Sequence, residues 1–562
     1  MPELRVGPIV RAVSPTSIVI WAELTAAETV TLLVQANGTR DEPQTVSQKS
    51  TLVGGHHYVA LELQHLQPAT WYNYQLFGTI PGKELVQTPA LPMPQCFRTL
   101  ATQPQATEEL VHFPLRIAYG SCRKAEVNQS DVLSVFGHWL HEHFEQRESA
   151  WPHLLLLIGD QIYADEPSAS LQQASPHLGP EASSYEDFCL FYQHAWSTDS
   201  GVRQVLASLP SYMIFDDHEI TNNWNSMPTW RAKVTQSGRE QVLIDGVVAY
   251  WIYQGWGNLA QHTAQHPLLA IMRQAAESGE DALERLRDCI REDLYGRVLL
   301  HWHYEIPSTP PIFVANARTE RTAIFTDSDE DIFAPTRIIS HSQANDLQNW
   351  FSKNPSTLAI LVSSVPVLLP PAIGWLEYLM GQRPWMAKKN WLHGAGLQLA
   401  RLQQRIAMRI GFDHWPLYPV SWQDLLQIFQ QPKDTLILSG DVHFSYALAA
   451  QLTSRVATDT YLYQFVSTPL QNELSASDQS KIKLQAHLSQ WRYGGLKQRI
   501  LPLAASDKTA HIDHNLLFEN TLAMVTLQAD TQGRYTPQQD YLGSINGHLQ
   551  KLATTILPPA QP

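Results

Sequence analysis

Six short apolar runs constrain this chain more than any other feature: LRIAYG, HLLLLIG, SYMIFD, IFVANA, TLAILVSS and TLILSG. None alternates polar with apolar residues, which is the mark of strands buried on both faces. Helical stretches are predicted between and beside them, at Asp131–Gln146, Gly238–Leu259, Ala282–Leu294, Gln343–Ser352 and Leu397–Ile410. Strands of this kind interspersed with helices predict an α/β (α+β) domain with helices covering buried sheets.

The first hundred residues read differently. SIVIWAEL, TVTLLVQA, HHYVALEL, WYNYQLFG and CFRT are strand-like runs separated by turns, and nothing between them looks helical. Leu66, Pro68, Thr70, Tyr72 and Tyr74 resemble the LxPxTxYxY signature of fibronectin type III domains, with Trp21 where such sandwiches put a core indole. That resemblance implies a tyrosine corner, in which a hydroxyl pins a loop to the sandwich. The expected organisation is a fibronectin type III-like β-sandwich over 1–100, a polar, proline-containing linker over 101–112, the α/β domain over 113–535 and a tail over 536–562.

A chain of 562 residues, 44% hydrophobic and 16% charged, has ample core for two domains. Its net charge of -14 and its lack of a basic stripe argue against a nucleic-acid partner. An anionic small substrate stays compatible, because bound cations reverse the local field. Cys96, Cys122, Cys189 and Cys289 form no CxxC pair and no disulfide framework. The start, MPELRVGPIV, has no signal-peptide pattern, so a cytoplasmic location is expected of the chain as given, and a periplasmic or secreted one if the true start is missing. Thr357–Leu376 is uncharged and about long enough to span a bilayer. Pro366, Pro370, Pro371 and Gly374 fit a buried strand followed by an irregular loop instead.

Four of the apolar runs end in polar clusters: SCRK at Ser121–Lys124, GDQIYAD at Gly159–Asp165, DDHEITNNW at Asp216–Trp224 and GDVHFS at Gly440–Ser445. In open α/β sheets the carboxyl ends of strands face one crevice, so residues placed there converge. A glycine before Asp160 and before Asp441 lets the chain turn sharply and leaves the carboxylate at the sheet edge. Carboxylate, imidazole and carboxamide donors suit a pair of cations that would hold and polarise a phosphate. Each motif alone is a common turn signal. It is their joint placement at strand ends that points to a site.

In this order and behind a sandwich, SC, GDQIYAD, DDHEITNNW and GDVH resemble the PhoD-like alkaline phosphatases, a branch of the calcineurin-like metallophosphoesterases. The resemblance runs from Leu4 to about Gln528. It implies two facing β-sheets flanked by helices, and a metal site with Fe3+ and Ca2+, with Mn2+ or Zn2+ as the alternative. Carried over, Cys122 and Tyr163 would bind iron, and Asp160 would bridge the metals. Asn222 or Asn223 would hold the second cation with Asp441, and His443 would complete the site. Thiolate and phenolate donate strongly to Fe(III), while oxygen donors suit Ca2+.

His218 is similar in position to the family's catalytic histidine, with Asp217 as a ligand or as its orienting partner. Arg123, Arg318 and Arg321 are candidate phosphate clamps by guanidinium geometry. The chain departs from the family pattern at VANARTER, where Asn316 stands for an expected Asp, and at FDHWPLYP, which keeps Asp413 and Trp415. The expected activity is hydrolysis of small phosphate esters, mono- or diesters, by in-line attack of a metal-bound hydroxide. The alternative is a non-catalytic scaffold on a degenerate phosphatase domain. A monomer or small homo-oligomer is expected. The Trp- and His-rich stretch between Asn225 and Pro311 is a candidate cover for the site.

Overall fold

A computed structural model describes residues 3–39, 42–102, 114–126, 130–222, 235–321, 337–382, 393–453, 460–485, 488–506 and 511–557. Most of the expected linker, Asn223 and residues 558–562 lie outside these.

The N-terminal part is a β-sandwich of two four-stranded antiparallel sheets. One orders Leu4–Val13, Ser17–Leu24, His56–Gln64 and Thr51–Val53; the other orders Gln44–Lys49, Thr29–Ala36, Trp71–Phe77 and Cys96–Arg98. Strand Trp71–Phe77 buries Tyr72, Tyr74 and Leu76 and exposes Asn73 and Gln75, following the two-residue pleat. The Tyr72 hydroxyl accepts from the Gln67 amide at 2.7 Å and ties the preceding loop to the strand.

Strand Ser17–Leu24 is buried on both faces for different reasons. Ile18, Ile20 and Ala22 point into the sandwich core, while Val19 and Trp21 point the other way, into a cluster with Trp196 and Tyr253 of the following domain. Trp21 is therefore no core indole of the sandwich. Its ring lies 5.4 Å from Tyr253, at the junction with the helices.

That junction is built around a buried carboxylate. Glu23 accepts from Tyr253 Oη at 2.8 Å and Gln193 Nε2 at 2.8 Å, and lies 2.9 Å from His56 Nδ1. His56 Nε2 lies 2.7 Å from Glu186. Burial lowers the His56 pKa, but its hydrogen bonds to Glu23 and Glu186 outweigh burial and leave it raised. A raised pKa stabilises the fold fully below the ordinary value of about 6.5 and stops doing so as pH rises through the folded-state value. His56→Ala is thus expected to cost about 2 kcal/mol at pH 6 and progressively less in alkali, read from denaturation midpoints across pH. A pH-independent cost would contradict this.

The second part contains a seven-stranded and an eight-stranded sheet. The first orders Ser211–Ile214, Leu154–Ile158, Leu115–Gly120, Leu522–Ala529, Tyr535–Ile545, His548–Thr555 and Leu503–Ala505. The second orders Tyr304–Ile306, Ile312–Ala315, Leu358–Ser363, Asp434–Ser439, Leu462–Val466, Tyr446–Leu452, Leu496–Ile500 and Gln490–Tyr493. Ile117, Ile158 and Ile214 of the first share one apolar core with Val314, Val362 and Leu438 of the second. The six apolar runs are all strands, and the five predicted helices all form.

Two expectations change, and a third holds for its strand and loop but gains a helix. The segment from 536 is no tail: Tyr535–Ile545 and His548–Thr555 make a hairpin in the seven-stranded sheet, turned by Asn546 and Gly547 at positive φ. Tyr541, Leu552 and Ala553 bury there, which an unpaired tail could not do. Nor is the aromatic stretch after 235 a surface cover. Helix Glu240–Tyr250 runs into a π-helical turn, Trp251–Gly255, whose rings are core. Finally, within Thr357–Leu376 lies strand Leu358–Ser363, followed by irregular chain and helix Pro371–Gly381. Among the described residues no helix is long and apolar enough to cross a membrane.

Candidate metal centre

The site forms where strands of both sheets end. Leu115–Gly120, Leu154–Ile158 and Ser211–Ile214 run parallel in register, with Gly120 beside Leu157 and Ile158 beside Ile214. Their ends deliver Cys122, Asp160 and Asp216–Glu219 side by side. Asp434–Ser439 of the other sheet delivers Asp441 and His443. The two are stitched together at Ser121, whose Oγ accepts from the Asp441 amide at 3.0 Å. A Cβ on Gly440 would meet that Oγ at 2.1 Å, and one on Gly159 would meet Asp216 Cβ at 2.5 Å. Glycine is needed at both turns because the neighbouring strand end comes so close.

Cys122, Asp160, Asp441 and His443 all hold left-handed backbone, with φ of 57°, 52°, 69° and 59°. Such a conformation costs a non-glycine residue of order 1 kcal/mol or more, and persists where surrounding structure enforces it. Four such residues in one cluster aim their side chains inward at that cost. Cys122 Sγ lies 3.4 Å from Asp160 Oδ2, and one ligand atom each of Cys122, Asp160 and His443 lies within 4.8 Å of the others. Tyr163 Oη is 3.4 Å from His443 Nε2, and its ring stacks on His218 at 4.3 Å. Asp160 also groups with Asp217 and His218, and again with Asp216 and Asp441.

Most of these groups are held away from the charge a ligand needs. Burial pushes the Cys122 thiol well up, and Asp160 and Asp441 push it further. Burial does the same to Tyr163, with Cys122 and Asp160 adding to it. The Asp160 and Asp216 carboxyls are raised well above the carboxylate range, first by burial and then by their acidic neighbours. Asp216 Oδ2 is buried without a hydrogen-bond partner. A cation would reverse each of these at once, so thiol, phenol, carboxylates and imidazole fit a metal.

Residues not singled out beforehand hold the cluster. Glu219 accepts from the amides of Asp160, Gln161 and Asp216 at 3.1, 2.8 and 2.8 Å and from Gln254 Nε2 at 3.0 Å. Gln254 comes from the π-helical turn, a distortion frequent at functional sites. Asp165 lies 2.8 Å from His218 Nδ1. Burial lowers the His218 pKa, but Asp165, Asp160 and Asp217 carry it up to about 10. His414 bridges Glu377 Oε2 at 3.1 Å and Asp441 Oδ2 at 3.3 Å.

The three arginines read as phosphate clamps are otherwise engaged. Arg123 is buried, bonded to Asp131 at 2.7 Å and Ala195 O at 2.9 Å; Asp131 in turn caps helix Val132–Glu142. Arg318 bonds Asp216 and Asp413 and lies 3.3 Å from Asp441 and 3.6 Å from Asp217. Arg321 bonds Ala317 O at 2.6 Å and Asp413 at 3.3 Å. With Arg318 and Arg321 at 1% and 2% exposure, both guanidinium groups balance buried carboxylates and leave no face for a substrate. Asn222 is exposed, its amide bonded to Asp165, and Asn223 lies outside the described residues.

The structure is thus a mixed α/β domain with a cluster of potential metal ligands at its strand ends. The chain is a member of the PhoD-like phosphatase family, whose model matches residues 118–498. Residues 1–96 match a domain of unknown function, DUF7800. A solved structure of PhoD matches with a TM-score of 0.57 at 12% identity, covering 99% of this chain and 94% of that one. Two shorter matches are the FN5 domain of Drosophila Lar and the sensor domain of the anti-sigma factor RsgI4 of Pseudobacteroides cellulosolvens. The first has TM-score 0.14 at 18% identity, over 18% of this chain and 95% of that one. The second has TM-score 0.15 at 17% identity, over 19% and 81%. Neither bears on the fold. No curated protein matches the chain.

Proposed function

We propose that this protein hydrolyses small phosphate esters as an alkaline phosphatase with phosphodiesterase activity, using two cations held at the strand ends. The observation that carries this reading is the convergence of Cys122, Asp160, Asp441 and His443, each in left-handed backbone. Cys122, Tyr163, Asp160 and His443 would hold one cation. Asp160, Asp216, Asp217 and Asp441 would face the other, with Asn222 or Asn223 as a further donor. When bound, the cations supply Lewis acidity, lowering the pKa of a coordinated water and drawing charge off the phosphoryl oxygens. Thiolate with phenolate favours Fe3+ for the first cation and oxygen donors favour Ca2+ for the second, with Mn2+ or Zn2+ as the alternative pair.

The chain's own residues do the rest. His218, charged and oriented by Asp165, stabilises the developing negative charge and delivers a proton to the departing oxygen. Tyr163 fixes the plane of the His218 ring by stacking. Arg318 and Glu219 keep the acidic strand ends in place. The two facing sheets are read as a calcineurin-like metallophosphoesterase core, and the sandwich over 1–100 as fibronectin type III-like, joined by a linker over 101–112.

His218→Ala is expected to lower kcat for nitrophenyl phosphate by about 10²–10⁴-fold with metal content unchanged. Asp165→Asn should fall between that variant and wild type. Equal kcat in His218→Ala and wild type would remove His218 from the reaction. Visible absorption checks the metals, since ferric phenolate and thiolate are coloured whereas Mn2+ and Zn2+ centres are not.

A further inference from the structure

We infer a second metal site, for a single Zn2+-class divalent cation, formed by His301, His303 and Asp346 at the outer edge of the eight-stranded sheet. One ligand atom of each lies within 4.8 Å of the other two. His301 and His303 are two apart on the extended chain leading into edge strand Tyr304–Ile306, and their rings are 5.1 Å apart. Asp346 comes from helix His341–Lys353. His303 Nε2 lies 3.3 Å from Asp346 Oδ2. Tetrahedral zinc with bonds of about 2.0–2.1 Å spaces its ligand atoms about 3.4 Å apart, so this pair already stands at the required separation.

The site also has the support that metal-bound imidazoles use. His303 Nδ1 faces Glu320 Oε1 at 3.5 Å, and a cation on Nε2 would strengthen the Nδ1–H donor and draw this contact in. Glu320 is 3% exposed and held by Ser340 Oγ at 2.7 Å and Gln343 Nε2 at 2.8 Å. His303 is itself 10% exposed, and its ring stacks on Phe313 at 5.5 Å. The second imidazole offers an uncommitted nitrogen: His301 Nδ1 is buried without a hydrogen-bond partner. Asp346 is 49% exposed, so a cation arrives from solvent and leaves the fourth position to water. Two imidazoles and one carboxylate suit zinc in preference to Ca2+ or Mg2+, which take all-oxygen sets. Such a cation ties the sheet edge to the helix, and the strand-end centre takes no part in it.

The test is equilibrium dialysis of the chelator-treated full chain with Zn2+ alone, repeated with Co2+ for its visible absorption. It compares wild type, Asp346→Asn, His303→Gln and Glu320→Gln, each also in an Asp160→Asn background that weakens the strand-end centre. Wild type should take up one equivalent more than His303→Gln in both backgrounds. Asp346→Asn, a surface change that leaves folding intact, should lose at least about tenfold in affinity. Glu320→Gln should lose about 10–100-fold without removing a ligand. Equal uptake and equal Co2+ spectra in wild type, Asp346→Asn and His303→Gln would overturn the site and leave an ordinary His303–Asp346 ion pair.

Discussion

Asp160→Asn is expected to lower kcat/KM on nitrophenyl phosphates by about 10³-fold or more, while the metal-free variant melts no lower than metal-free wild type. The first half follows from position. Asp160 is shared by the group with Cys122 and His443, the group with Asp217 and His218, and the group with Asp216 and Asp441. A carboxylate common to all three is the one that would bridge the two cations of the proposed centre. An amide there offers one oxygen and no charge, and losing about 4 kcal/mol of electrostatic stabilisation costs about 10³-fold in rate.

The second half follows from burial. Asp160 is 1% exposed, with its pKa raised first by burial and then by its acidic neighbours. An Asn in its place can still accept the His218 amide, now 3.2 Å from Oδ1, while removing a buried charge. Activity should therefore fall with no fall in metal-free stability. A variant that lost activity through misfolding would lose both.

Arg318→Ala carries the largest expected stability effect, a loss of about 3–5 kcal/mol measured as a fall in denaturation midpoint. The guanidinium is 1% exposed, with Nε on Asp216, Nη1 on Asp413 and Nη2 facing Asp441. Removing it leaves four acidic side chains, Asp216, Asp217, Asp413 and Asp441, with their shared cation gone. Arg318→Lys should recover little, because one ammonium cannot address three carboxylates in the guanidinium plane. Added metal should recover part of the loss, since a cation at the strand ends binds only the folded form. If Arg318→Ala unfolds no more easily than wild type, the carboxylates do not depend on this cation.

The elements that local sequence dictates were legible. Buried parallel strands need unbroken apolar runs, and Asp160 and Asp441 announce themselves by the glycine that lets a strand end turn. The hairpin at 535–555 was missed because its outward face is polar, QQDYLGSINGHLQ, although Asn546-Gly547 is a strong hairpin signal. Trp21 was legible as buried but not as to where, because its strand has core on both sides.

Long-range pairing was not legible. Glu377 reads as one acid just past an uncharged stretch, and His414 as part of a motif that has drifted; only folding joins Glu377 to His414 and His414 to Asp441. Arg318 and Arg321 have the chemistry of phosphate clamps, and it took the positions of Asp216 and Asp413 to show which anions they serve. Asp165 closes the GDQIYAD motif five residues after Asp160, and a second acid at that spacing was the available sign of a partner for His218.

The most direct test is elemental analysis of the purified protein and of Cys122→Ala, with hydrolysis of nitrophenyl mono- and diesters measured on the same samples. Near-stoichiometric iron with calcium in wild type, lost together with activity in the variant, is the expected result. Metal-free, inactive wild type that added iron, calcium, manganese or zinc cannot rescue would contradict a metal-dependent phosphoesterase and leave the strand-end cluster as a scaffold.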